Sequence, residues 1–317
     1  HVVDAVLVPN LEASIVNTIV EPAYFNKGFS ILTEAVVKAD LVGTLTDSDA
    51  SLTLFAPDNA AFEAAGITSL DGLSGEALAP ILQYHVIGGE IFADGLPSTE
   101  GGISTPVETL NGNFYLTNNS NGVFINGDVS VTAATLADEA LDYDNGVVHL
   151  IDQTLMPTPE DDVIAVAQAE GFTELAAALT EAGLVSALQS PEGPFTVFAP
   201  TDDAFANLYA ALDEAYPDVT VDGPEDVDTV LGEGTLSAVL QYHVFADGWA
   251  FSTDLSDGFE VPTLQGGTFT ASFGDNVTFV DADDDVANPA LSAPNVMTNN
   301  GVIHVIDGIL LPVDTPL

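Results

Sequence analysis

The sequence predicts an α+β fold built twice in tandem, and three observations carry that prediction. The 317-residue chain repeats itself: Leu54-Phe55-Ala56-Pro57-Asp58-Asn59-Ala60-Ala61-Phe62 returns 143 residues later as Val197-Phe198-Ala199-Pro200-Thr201-Asp202-Asp203-Ala204-Phe205. Within each copy, segments with helical spacing come first and alternating segments follow, the order of an α+β rather than a βαβ fold. Hydrophobic residues make up 47% of the chain against 16% charged, enough apolar side chain for two packed cores despite 49 acidic residues.

The elements can be placed in order. His1-Val2-Val3-Asp4-Ala5-Val6-Leu7-Val8-Pro9 lines up with His149 to Pro157 and with His304 to Pro312. Residues 1–9 therefore read as the closing strand of a preceding repeat, or as a strand that completes a neighbouring molecule's sheet. Domain 1 then spans 10–157 and domain 2 spans 158–317. Residues 29–42 and 172–185 place apolar side chains such as Phe172, Leu175 and Leu179 at helical spacing, so each predicts an amphipathic helix. Leu52 to Phe55 and Phe195 to Phe198 are short apolar runs that stop at Ala-Pro, the pattern of a buried strand. Asp58, with Asp202 as its partner, is expected at the N-cap of the following helix.

Farther on, Ile81-Leu82-Gln83-Tyr84-His85-Val86 returns as Val239-Leu240-Gln241-Tyr242-His243-Val244. The larger offset here, 158, puts about 15 extra residues into the acidic stretch 206–234 of the second copy. The apolar flanks of both Tyr-His pairs read as strand. Asn113 to Thr117, Gly122 to Asn126 and Asp128 to Thr132 alternate as strands, with Asn126-Gly127 predicting a type I′ turn. The closing strand is Val147 to Ile151 or Val302 to Ile306. It lies within Asn145-Gly146-Val147-Val148-His149-Leu150-Ile151-Asp152 and its twin Asn300 to Asp307.

These motifs resemble the signatures of the fasciclin (FAS1) domain family. The first is Thr53 to Phe62 and Thr196 to Phe205, the second the Tyr84-His85 and Tyr242-His243 dipeptides, the third Asn145 to Asp152 and Asn300 to Asp307. The resemblance runs from about Leu11 to Pro312, and every motif occurs twice. It implies two tandem FAS1-like domains, each a wedge-like β structure with helices packed along one side. It also implies an extracellular or cell-surface location and a role in cell adhesion or matrix contact, generally without enzymatic activity. The partners would be a cell-surface or extracellular-matrix protein or polysaccharide, or copies of the chain itself. Strong negative charge, the lack of cysteine and the acidic insert set this chain apart from the better-known animal members.

Charge excludes other classes. The only cations are Lys27 and Lys38, and the formal net charge is −47. Nucleic acids require Lys and Arg to displace phosphate counterions, and no guanidinium fork exists here to grip a phosphate. With no cysteine, thiol nucleophiles and disulfides are absent. No apolar run approaches the ~20 residues that span a bilayer. His1-Val2-Val3-Asp4 lacks a basic signal-peptide region, so a secreted protein would be represented here by a processed or trimmed form.

The candidate chemistry is sparse. All five histidines recur with the repeat: His85 and His243 after Tyr, and His1, His149 and His304 in the closing strand. We read them as buried imidazoles that hydrogen-bond local backbone rather than as general bases. Asp152 and Asp307 are expected to satisfy a turn after that strand. Asp281, Asp283 and Asp285 alternate in the manner of Ca²⁺ ligands, and Asp138, Glu139, Asp142 and Asp144 form a looser cluster. The segment lacks the central Gly and terminal Glu of an EF-hand and aligns with a hairpin turn of copy one, so a weak Ca²⁺ site and a solvated turn both stay open. Two sequons occur, at Asn118 and Asn276. The leading functional reading is a non-enzymatic adhesion or matrix module in a longer tandem array. Its rivals are a self-assembling subunit of a surface filament or sheath and a secreted polysaccharide-active enzyme.

Overall fold

The computed structural model describes residues 15, 17–132, 142–190, 193–283 and 287–313. Residues 1–9, Asp138, Glu139 and Asp285 lie outside the described residues, and so does the side chain of Asp142. The chain divides into two compact units, 1–100 with 105–157, and 158–317 with 101–104.

The first unit begins with helices α1 (Glu21–Phe25), α2 (Ser30–Lys38) and α3 (Val42–Leu45), followed by strand β1 (Leu52–Pro57). Helices α4 (Asn59–Ala64) and α5 (Gly75–Tyr84) come next, then strands β2 (Val86–Gly88), β3 (Thr105–Thr109), β4 (Gly112–Asn119), β5 (Gly122–Ile125), β6 (Val129–Ser130), β7 (Asp142–Tyr143) and β8 (Gly146–Ile151). They form two four-stranded sheets, ordered β2-β1-β8-β7 and β3-β4-β5-β6. β1 and β8 run parallel, with Leu52 opposite Gly146 and Pro57 opposite Ile151.

Every residue of β1 is buried, because the central sheet is covered on both faces. Leu52, Leu54 and Ala56 point into a core shared with Leu32, Val36, Phe62, Leu78 and Leu82 of the helices. Phe55 points the other way, into a core with Tyr84, Phe114, Leu116, Ile125 and Ile151 that joins the two sheets. Alternation along one strand thus builds three layers: helices, central sheet, antiparallel sheet.

The second unit repeats this plan. It comprises α6 (Val163–Ala169), α7 (Thr173–Glu181), α8 (Val185–Leu188), β9 (Phe195–Pro200), α9 (Asp202–Ala215), α10 (Pro224–Leu231) and α11 (Thr235–Tyr242). Strands β10 (Val244–Phe245), β11 (Glu260–Pro262), β12 (Thr268–Phe273), β13 (Val277–Val280), β14 (Leu291–Met297) and β15 (Gly301–Ile306) follow. The sheets are ordered β10-β9-β15-β14 and β11-β12-β13. Val197, Ala199 and Ile303 face the helices, while Phe198 and Ile306 face Phe269 and Phe279 of the other sheet.

Several local expectations are corrected. The helices predicted over 29–42 and 172–185 stop at Lys38 and Glu181. Asp40 and Gly183 take positive φ just beyond, and the backbone closes behind them with Leu41 N–H on Val36 O and Leu184 N–H on Leu179 O. β1 continues through Ala56-Pro57 instead of stopping there. The N–H that Pro57 lacks would face the β2 side, and the β2 pairing ends at Leu54. The Tyr-His pairs do not lie on strands: Tyr84 and Tyr242 end helices, and His85 and His243 are their C-caps. The acidic stretch 206–234 is largely helical, extending α9 and adding α10.

Candidate functional site

The repeated motifs converge on two constellations per unit, and each begins with a histidine held in a fixed tautomer. At the end of α5, His85 Nδ1–H donates to the Ile81 carbonyl at 2.8 Å, while Nε2 accepts the Leu155 N–H at 2.9 Å. His243 does the same at the end of α11, with Val239 O at 2.7 Å and Leu310 N–H at 2.9 Å. Each ring thus fastens a helix end to the segment just after the closing strand. Burial pushes both imidazoles down to about 4, outweighing the backbone acceptor that favours the protonated form. Beside them Tyr84 Oη donates to Asn113 O at 2.9 Å and accepts from Asn126 Nδ2 at 3.2 Å. Tyr242 Oη donates to Thr268 O at 2.5 Å, and burial with the nearby Asp281 charge pushes its phenol up to about 12.

The closing-strand histidines use the opposite nitrogen. His304 Nε2–H donates to Ala250 O at 2.7 Å and Nδ1 faces the Asn295 N–H at 3.4 Å. His149 Nε2–H donates to Ile91 O at 2.8 Å, and the first-copy counterpart of Asn295 falls at residue 140, outside the described residues. Burial lowers His304 to about 4 and lowers His149 as well. Each ring lies against the central phenylalanine of its unit, His149 on Phe55 and His304 on Phe198, with centroids 5.3 Å apart. With pKa values lowered to about 4, the rings of His85, His243 and His304 are neutral near pH 7.

The sequence reading missed the asparagine that opens the third motif. Asn300 Oδ1 accepts the Val163 N–H at 3.0 Å, and Nδ2 donates to Leu188 O at 2.8 Å and Ser190 O at 3.2 Å. Asn145 repeats the pattern with Ile19 N–H, Leu45 O and Asp47 O. Both are buried, and each joins three segments far apart in sequence. The following glycine is fixed by contact: a Cβ at Gly146 would lie 1.9 Å from Leu52 O, and one at Gly301 would lie 2.1 Å from Phe195 O. The doubled Asn-Gly is the signal of this role that the sequence carries.

The carboxylates are also turned to the backbone. Asp58 caps α4 through the Ala61 N–H at 2.8 Å. Asp202 is not the N-cap expected of it. Thr201 holds that place, and Asp202 Oδ1 accepts the Glu174 N–H at 3.0 Å while its other oxygen accepts the Thr173 hydroxyl. Its counterpart is Asn59, which accepts the Ile31 N–H at 3.0 Å. Asp152 and Asp307 bridge to neighbouring chain rather than closing a turn, accepting Ser130 N–H at 2.7 Å and Ala290 N–H at 2.6 Å. Asp281 accepts Leu311 N–H at 2.7 Å and Asp283 N–H at 3.2 Å, and burial raises its pKa. Asp283 is buried. Among the described residues, no three His, Cys, Asp or Glu side chains form a group that could hold a metal ion, and no helix is long and apolar enough to cross a membrane.

Comparison with known proteins agrees with the repeat. A family model described as the fasciclin domain matches residues 27–157 and again 170–312. The transforming growth factor-beta-induced protein ig-h3 of Sus scrofa is 26% identical over 266 residues, covering 83% of this chain, and the chain spans 35% of that relative's length. An uncharacterised protein of Synechocystis is 36% identical over 144 residues, which is 45% of this chain and 90% of that protein. Among solved structures, a FAS1 domain pair from the insect cell adhesion molecule fasciclin I aligns over 92% of this chain and 94% of its own, with 19% identity and a TM-score of 0.42. The chain, with both copies of the motif set matched in order, belongs to the fasciclin domain family.

Proposed function

We propose that the chain is an extracellular, non-enzymatic adhesion or matrix-contact module, one stretch of a longer tandem array. The observation that carries this reading is the assignment of the motif residues. Histidines, tyrosines, asparagines and aspartates that could do chemistry are instead hydrogen-bonded to their own unit's backbone, and His85 with His243 and Asn145 with Asn300 do so in the same way twice. What such a unit offers a partner is its outer surface. Family membership supports the same reading, and the share of ig-h3 that the chain spans suits an array. Beads coated with the protein should bind cells, a matrix polymer or protein-coated beads of the same kind. Failure to bind any of the three would sink the proposal.

Calcium binding at Asp281, Asp283 and Asp285 is a separate part of the proposal. Millimolar Ca²⁺ is expected to raise the melting temperature beyond the effect of NaCl at equal ionic strength, since a bound ion stabilises the folded state by mass action. Superimposable melting curves in the two salts would leave only charge screening.

A further inference from the structure

We propose that Asn276 is a site of N-linked glycosylation and that Phe273 is the platform on which its first sugar rests. Both sequons, Asn118-Asn119-Ser120 and Asn276-Val277-Thr278, satisfy the acceptor pattern, and the fold separates them. Asn118 lies in β4 and is half-buried. Its backbone N–H donates to Thr99 Oγ1 at 2.9 Å and its Nδ2 to Leu96 O at 3.2 Å, so the nitrogen that would carry a sugar faces its own protein. Asn276 is exposed, at the end of the tight turn between β12 and β13, where Gly274 N–H meets Asn276 O at 3.2 Å.

Phe273 supplies the second observation. It ends β12 directly opposite Val277, three residues before Asn276, and is anchored by its N–H on Asp257 Oδ1 at 3.0 Å. Phe269 and Ala271, on the same face of the strand, are 1% and 0% exposed, yet Phe273 is 43% exposed. An open phenyl ring at a hairpin tip leaves apolar surface in water. The C–H face of a pyranose is weakly positive and suits the negative face of an aromatic ring. A sugar on Asn276 would cover that ring.

In the transfer, Asn276 Nδ2 forms a bond to the anomeric carbon of a lipid-diphosphate-linked oligosaccharide. The bond from that carbon to the diphosphate breaks, the lipid diphosphate leaves with the electron pair, and the displaced amide proton passes to solvent. No oxidation or reduction is involved. The site rests on the extracellular reading above, because the lipid-linked donor is met on the route out of the cytoplasm.

The test uses the full protein recovered from the cells that make it, with surface and interior fractions kept apart. The second unit holds no Lys or Arg for trypsin, so digestion with an endoprotease that cuts before Asp would release residues 275–280 for mass measurement. The expected result is a saccharide mass on that peptide and none on the peptide holding Asn118. Surface protein bare at Asn276, or glycosylated at Asn118 instead, overturns the site while leaving the extracellular reading standing. Protein found only in the interior overturns both. In full chain secreted by a host with N-linked machinery, Phe273→Ala should lower the glycosylated fraction severalfold, and an unchanged fraction would remove the platform role.

Discussion

His243 and His304 hold their protons on opposite nitrogens, and each is neutral because the fold buries it between one acceptor and one donor. An unfolded imidazole takes a proton near its ordinary 6.5, whereas these two wait until about 4. Their stabilisation is complete above pH 6.5, declines as the unfolded chain binds protons between 6.5 and 4, and is gone below. The loss for each at pH 4 is on the order of 3 kcal/mol. His243→Gln is expected to lower stability at pH 7 but to flatten the fall of the urea midpoint between pH 6.5 and 4, at fixed high salt. An unchanged slope would show that His243 does not titrate in this window. Burial of these histidines was legible from their apolar flanks. The tautomers were not, since the partners are backbone groups from distant segments. Asn300→Ala removes the acceptor of the buried Val163 N–H and the donor to Leu188 O, so about 3 kcal/mol should be lost. Denaturant titration followed by the fluorescence of the buried Trp249, the chain's single tryptophan, would measure it.

Helix starts show how two copies reach one geometry with different residues. Asn59 and Asp202 occupy the same place and tie α2 and α7, respectively, through a backbone N–H. Asp202→Asn should therefore be close to neutral, whereas Asp202→Ala should cost about 1 kcal/mol. Equal loss in both variants, read by Trp249 in urea, would mean that the charge rather than the acceptor matters. In the second copy Asp228 takes over the start of α11, accepting Gly234 N–H and Leu236 N–H, each at 2.8 Å, where the first copy uses Ser74 for α5. The order of helices and strands was legible because periodicity is local. Their ends were displaced where tertiary partners decided them, as at Pro57 and at the Tyr-His pairs. The helical insert was masked by its acidity, because composition says nothing about where Tyr209, Leu212 and Val227 pack.

For the whole molecule, charge is distributed unevenly. Both lysines lie in the first unit, where Lys38 Nζ donates to Leu70 O at 2.7 Å, and the second unit has no Lys or Arg, its two histidines being buried and neutral. In place of ion pairs, its aspartates accept backbone N–H groups, a role that suits the short Asp side chain. The remaining carboxylates repel one another with only solvent ions to screen them. Dilution of salt should therefore unfold the second unit first. Trp249 emission is expected to shift at a higher NaCl concentration than the last part of the far-ultraviolet circular dichroism change. A single coincident transition would contradict this ordering.

The position of the closing strand also governs how the chain can be made. In each unit the last strand sits in the middle of the central sheet, parallel to the first and bonded along its whole length. Until that strand leaves the ribosome a nascent unit can pair only β1 with β2, or β9 with β10, in its central layer, and the helices must wait with part of their apolar faces uncovered. Synthesis of a tandem chain then proceeds as a series of delayed closures, one at the end of each repeat. A pause or truncation just before Asn300 would release a second unit missing the piece that holds its two faces apart.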